Sequence, residues 1–209
     1  EAHMTAKMLR ALFWIFCIGV ALVSYRILFL AVEVGFPDVR QHFTHMPIFW
    51  THVLASATAL LLMPFQFWRG LLDRRRDIHR WIGRAYVLAV LAGGLSGLYM
   101  SFFAITGPVA GAGFFLLGLV WLGTTWMAYA KARARDIASH RLWITRSAAL
   151  TFAAVTLRIY LPLSMVLGLP FDPAYTVIAW ACWVPNLLVV EWWRRRRAMR
   201  QGTAASPVT

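Results

Sequence analysis

The chain has 209 residues, of which 60% are hydrophobic and 14% charged, with a mean hydropathy of +0.63 and a formal net charge of +13. So little charge beside so much apolar content excludes an ordinary soluble domain and indicates an integral membrane protein. Nucleic acid is excluded as the reason for the positive charge, because the basic residues border apolar runs and no nucleic-acid reader motif accompanies them.

In chain order, Glu1-Ala2-His3-Met4 reads as a cloning remnant, residues 5–200 as one membrane domain, and 201–209 as a disordered tail. The run from Leu9 to Val32 is long enough to span a bilayer. It exceeds a signal-peptide core, and no small-residue cleavage site follows it. Arg26 lies in its outer half, where snorkelling to the interface or pairing with Glu33 is the plain reading. In the following loop, His42 and His45 have a spacing that suits a metal ion only on a helix, and a solvated loop is preferred.

The second span, Ile48 to Trp68, holds His52 about one turn from the outer surface, a bend at Met63-Pro64, and Gln66 near its inner end. The third, Trp81 to Ile105, has Gly93, Gly94 and Gly97 for close packing. The fourth, Gly113 to Ala130, contains no histidine. The fifth, Trp143 to Leu167, places Arg158 on the order of 20 Å past the inner boundary. Arginine at that depth needs an acidic partner, a polar cavity or a bound anion. The sixth, Tyr175 to Trp193, contains Asn186 and ends at Glu191, expected in a solvated ion pair with nearby arginines. Cys17 and Cys182 fall within apolar runs and read as packing residues.

The fold expected is therefore all-α, a bundle of six transmembrane helices. Lys7 and Arg10, the arginines from Arg69 to Arg84, the basic residues from Lys131 to Arg146, and Arg194 to Arg200 all fall on one side if the spans alternate. The positive-inside rule puts that side, and both termini, in the cytoplasm of a bacterial inner membrane.

Two stretches on that side are alike: His79-Arg80-Trp81-Ile82-Gly83-Arg84 and His140-Arg141-Leu142-Trp143-Ile144-Thr145-Arg146. Each opens a span with a histidine, an adjacent arginine, a tryptophan at the water boundary and a deeper arginine. Two imidazoles at matched depth on separate helices can ligate one haem b iron. Gly83, one turn beyond His79, leaves space for a flat macrocycle, and Arg80, Arg84, Arg141 and Arg146 can hold its propionates. The plainer alternative is interfacial anchoring, with tryptophan at headgroup level and His and Arg on lipid phosphate.

The run Thr51-His52 through Met63-Pro64-Phe65-Gln66-Phe67, the two His-Arg stretches, Trp121-Leu122-Gly123-Thr124-Thr125, and Leu157-Arg158 together resemble a bacterial membrane family catalogued as domain of unknown function 2306. The resemblance runs from about His52 to Trp193 and implies a six-helix inner-membrane protein with no established activity. A weaker likeness is to di-haem transmembrane b-type cytochromes of the ascorbate-reducible kind. It implies axial histidines drawn from four consecutive helices, a set the histidine-free fourth span cannot complete.

The function expected is haem binding or a redox-linked role, with membrane lipids and a quinone or redox partner, no nucleic acid, and a possible homo-oligomer. His52, Arg158 and Arg26 would form a second, outer polar site for a quinone, another cofactor or an anion. The alternatives are a transporter or binding protein for a small anionic or lipid-like ligand using that outer site, and a scaffold without chemistry. Hydrolase, phosphate-loop and dinucleotide fingerprints are missing from the sequence.

Overall fold

The structure, a computed structural model, describes residues 2–29 and 45–204. Their helices are α1 (Ala2–Tyr25, closed by a 3-10 turn over Arg26–Leu28), α2 (Met46–Leu62, followed by a 3-10 turn over Pro64–Phe67), α3 (Arg69–Arg74), α4 (Arg76–Ser101), α5 (Pro108–Arg133), α6 (Ile137–Thr151), α7 (Ala153–Val166), α8 (Phe171–Ala181) and α9 (Val184–Ala204). No strand occurs among the described residues.

Six stretches are long and apolar enough to cross a membrane: Lys7–Tyr25, Met46–Phe67, Arg76–Ser101, Pro108–Arg133, Ile137–Val166 and Phe171–Met199. Helix is the form such apolar stretches must take in lipid, because each backbone N–H and C=O then finds its partner within the segment. The expected bundle of six spans is what forms. Glu33 and His42 lie outside the described residues, and so do the ion pair and metal spacing proposed for them.

The helices begin earlier than hydropathy suggests, and this matters for both histidines. His79 donates its backbone N–H to Arg75 O (3.1 Å), and His140 donates to Asp136 O (2.9 Å), so each ring is carried on a formed turn. At the other extreme of the chain α9 continues to Ala204, past residue 200 where the membrane domain was expected to end.

The bend expected at Met63-Pro64 is present, with α2 giving way there to the 3-10 turn. Two further breaks were not foreseen. The fifth span is interrupted at Phe152 and the sixth at Cys182-Trp183. Pro185 follows the second break and supplies no N–H to the preceding turn. The Cys182 carbonyl, at the break itself, accepts from Asn186 Nδ2 (2.9 Å) and from the Thr156 hydroxyl, which ties the two interrupted spans together.

Spans two to five pack as consecutive neighbours, span one lies against spans two and five, and span six against four and five. A Cβ on Gly93 would stand 2.7 Å from Ser56 Oγ, and one on Gly97 would stand 2.9 Å from His52 Cε1. Only hydrogen at these positions permits spans two and three to approach so closely. Leu60, Met63, Tyr86, Val90, Val155 and both cysteines are buried in the centre.

Candidate functional site

A cavity of about 1420 Å³ opens at the arginine-rich end of the bundle, between α3, the first turns of α4 and α6, the last turns of α5, the middle of α9 and the turn after α2. His79 and His140 both line it, close enough for a charge on one ring to be felt at the other. Nine arginines line it as well, Arg69, Arg76, Arg80, Arg84, Arg133, Arg135, Arg141, Arg194 and Arg197, against the single carboxylate of Asp73. Val87, Leu142, Ile144 and Val190 supply apolar wall.

Local chemistry explains how His140 is placed. Asp136 caps α6 by accepting from Ser139 N–H (3.1 Å), the usual device for satisfying a helix's first amides. Hydrogen bonds from Ser139 hold its carboxyl below the ordinary carboxylate range, with Lys131 adding a smaller effect. One turn later, His140 Nδ1 donates to the carbonyl of Ala128 on α5 (2.9 Å). A carbonyl can only accept, so the proton of the neutral ring sits on Nδ1 and the lone pair is on Nε2.

His79 is placed differently. No side chain caps α4, although Asp77 in its first turn suits the positive end of the helix. Among the described residues His79 Nδ1 is buried without a hydrogen-bond partner, and so is Nε2 of Gln66, a residue only 7% exposed that lines the same cavity. Each such group costs about 1–3 kcal/mol when left unpaired. Gly83 lines the cavity beside Gln66, and a Cβ there would meet only Gln66 Oε1, at 3.5 Å.

Of the arginines read from the sequence, Arg80, Arg84 and Arg141 line the cavity and Arg146 does not. Arg146 grips Glu191 through Nε and Nη2 and lies over the Trp143 ring at 4.4 Å. With Arg194 Nε bonded to the same carboxylate (3.1 Å) and side-chain exposures of 16% for Arg146 and 24% for Glu191, this is a sheltered brace between spans five and six. It is not the solvated ion pair expected for Glu191.

At the inner wall of the cavity, where Tyr86 and Thr125 line it, lies a group of hydroxyls that sequence reasoning missed. Tyr86 OH is 2.7 Å from both Ser147 Oγ and Thr151 Oγ1, Trp121 Nε1 donates to Thr151 Oγ1 (2.8 Å), and Thr125 Oγ1 is 2.6 Å from Ser147 Oγ. Thr125 and Thr151 can direct their own protons to the Trp121 and Ser147 carbonyls (2.8 and 2.9 Å), so every donor has an acceptor. The i, i+4 spacing of Ser147 and Thr151 on an apolar span was the available signal.

The far half presents a third arrangement. His52 Nδ1 donates to Gly93 O (2.9 Å). Arg158 donates to Ala154 O (3.0 Å) and Ser24 Oγ (2.9 Å), and Ser24 in turn donates to Val20 O (2.7 Å). Arg26 and His52 are both within electrostatic reach of Arg158. The three residues read as an outer site are thus neighbours, and the described bonds of His52 and Arg158 run to the protein itself.

A family model described as a predicted membrane protein, DUF2306, matches residues 49–194. The chain belongs to this family. The matched stretch runs from α2 into α9 and takes in both cavity histidines, Gln66, the hydroxyl group and Arg158. Neither the curated proteins nor the solved structures contain a match, so the likeness to di-haem cytochromes gains no support from them. Membership establishes a membrane protein and assigns no activity.

Proposed function

We propose that the protein binds a single haem b in the cavity at its arginine-rich end and serves as a redox-linked membrane component. The observation that carries the reading is that His79 and His140, on separate spans, line one cavity while His140 Nδ1 is already committed to Ala128 O. Backbone fixation of one ring nitrogen is the second-layer arrangement that leaves an imidazole ready to ligate through the other.

The surrounding residues fit the group. Two neutral imidazoles suit low-spin iron, Gly83 leaves its side of the wall open, and the apolar lining of Val87, Leu142, Ile144 and Val190 would suit a macrocycle. Arg80, Arg84 and Arg141, which line the cavity, would hold its propionates, while Arg146 braces span five to span six. When bound, haem supplies one-electron transfer. The basic residues at this end support its placement, with both termini, in the cytoplasm of a bacterial inner membrane. A quinone or another redox partner would exchange electrons with it, and homo-oligomerisation is compatible with the exposed apolar faces. A transporter built on Arg158 has weaker support, because the two described hydrogen bonds of its guanidinium run to Ser24 and Ala154 of the protein itself.

The test is the reduced-minus-oxidised absorption spectrum of protein purified from haem-supplemented cells. A Soret and α band present in the wild type and absent from His79→Ala and His140→Ala is expected. A colourless wild type under those conditions overturns the reading.

A further inference from the structure

The cavity holds far more positive charge than a haem dianion would balance. With Arg80, Arg84 and Arg141 reserved for propionates, Arg194 bonded to Glu191 and Arg197 over the Trp193 ring, there remain Arg69 on α3 and a group of three, Arg76, Arg133 and Arg135, and among the described residues no carboxylate pairs with any of the three. All three lie toward the mouth. Arg76 precedes His79 by three residues, and Arg133 follows Ala128 by five, which sets them roughly 5 and 8 Å farther out along their helices.

Arg135 is distinguished by its backbone. Its φ is +60°, and it is the only non-glycine residue with positive φ among those described. It occupies the left-handed position that closes α5: Asp136 N–H returns to Lys131 O (3.0 Å) and Arg135 N–H to Ala132 O (3.1 Å). Glycine is the usual occupant of that position, because a Cβ there crowds the following carbonyl. A long cationic side chain stands where the backbone favours none, and it lines the cavity. Strain of this kind concentrates where a side chain serves a ligand. The planar guanidinium fork of arginine matches the paired oxygens of a phosphate.

We propose that the mouth of the cavity is a phosphate subsite, separate from the histidine pair, in which Arg135 grips the phosphate or diphosphate group of an anionic ligand with Arg76 and Arg133. The ligand chemistry is common to a phospholipid headgroup and a soluble phosphorylated molecule. This subsite does not depend on haem.

The experiment uses the full chain in phosphatidylcholine nanodiscs. Inorganic pyrophosphate is titrated by calorimetry, and in a parallel arm retention of phosphatidic acid is counted by native mass spectrometry. The wild type should bind at least one probe saturably. Arg135→Gly should weaken that binding tenfold or more while the unfolding temperature holds or rises, because glycine adopts φ +60° without strain. Pyrophosphate binding assigns the soluble source, and phosphatidic acid retention without it assigns the lipid. Saturable binding of neither probe, wild-type affinity in Arg135→Gly, or a fall in that variant's unfolding temperature would overturn the proposal. His79→Ala should leave phosphate binding unchanged, so the haem reading and this one can fail separately.

Discussion

The two histidine-and-arginine regions of the bundle use the same residue types and differ in what those residues are bonded to. In the far half, His52 and Arg158 spend their described donors on Gly93 O, Ala154 O and Ser24 Oγ. At the arginine-rich end, His79 Nδ1 and Gln66 Nε2 are buried without a partner among the described residues and line one cavity, whereas the far half has a single such atom, Ser56 Oγ, in the tight contact between spans two and three. Two orphaned groups at about 1–3 kcal/mol each are a large part of a net stability of about 5–15 kcal/mol. A fold keeps such groups where something outside the chain completes them. The proposed function therefore rests on the cavity, and a structural role on the far cluster and the satisfied hydroxyl group at the cavity's inner wall.

That division can be broken by substitution. The largest effect is expected from Gly93→Leu, which forces a side chain into Ser56 and parts spans two and three; on the order of 3 kcal/mol should be lost, read as a collapse of the unfolding temperature in detergent. Next, Tyr86→Phe removes the hydroxyl shared by Ser147 and Thr151 and should destabilise by about 1–3 kcal/mol while haem binding persists. Gln66→Met keeps the volume and deletes the orphaned amide. Here the sign reverses, and the ligand-free protein should gain about 1 kcal/mol, so a clear loss in thermal unfolding would show that Gln66 belongs with the satisfied residues.

The smallest effect concerns Asp136. Its carboxyl titrates below the ordinary range in the folded chain, so its capping contribution is complete above the unfolded carboxylate value and is lost as pH falls through the folded one. Acidification should lower the unfolding temperature slightly more for the wild type than for Asp136→Ala.

The six spans were legible in the sequence because transfer into lipid acts on each segment by itself, so hydropathy finds a span without knowing its neighbours. The breaks at Phe152 and Cys182-Trp183 were not, although Pro185 marked one of them, because the second set of bonds that sustains a break comes from Thr156 and Asn186 across the bundle. His79 and His140 were legible as a pair from their matching surroundings. Gln66 was noticed only for its depth, since being unpaired depends on every other element that might have reached it. Arg135 read as one more basic residue before a helix, because a left-handed backbone appears only once the end of α5 is formed. Arg146 was assigned to the cavity by analogy with Arg84, and the Glu191 carboxylate, about two turns past the break in the sixth span, decides otherwise.

The most direct measurement is a haem titration of the purified ligand-free protein, followed at the Soret band, for the wild type, His79→Ala, His140→Ala and His52→Ala. The account expects stoichiometric one-to-one binding in the wild type and in His52→Ala, and loss of the bis-imidazole spectrum in the other two. Equal spectra in all four proteins, or a loss confined to His52→Ala, would contradict it.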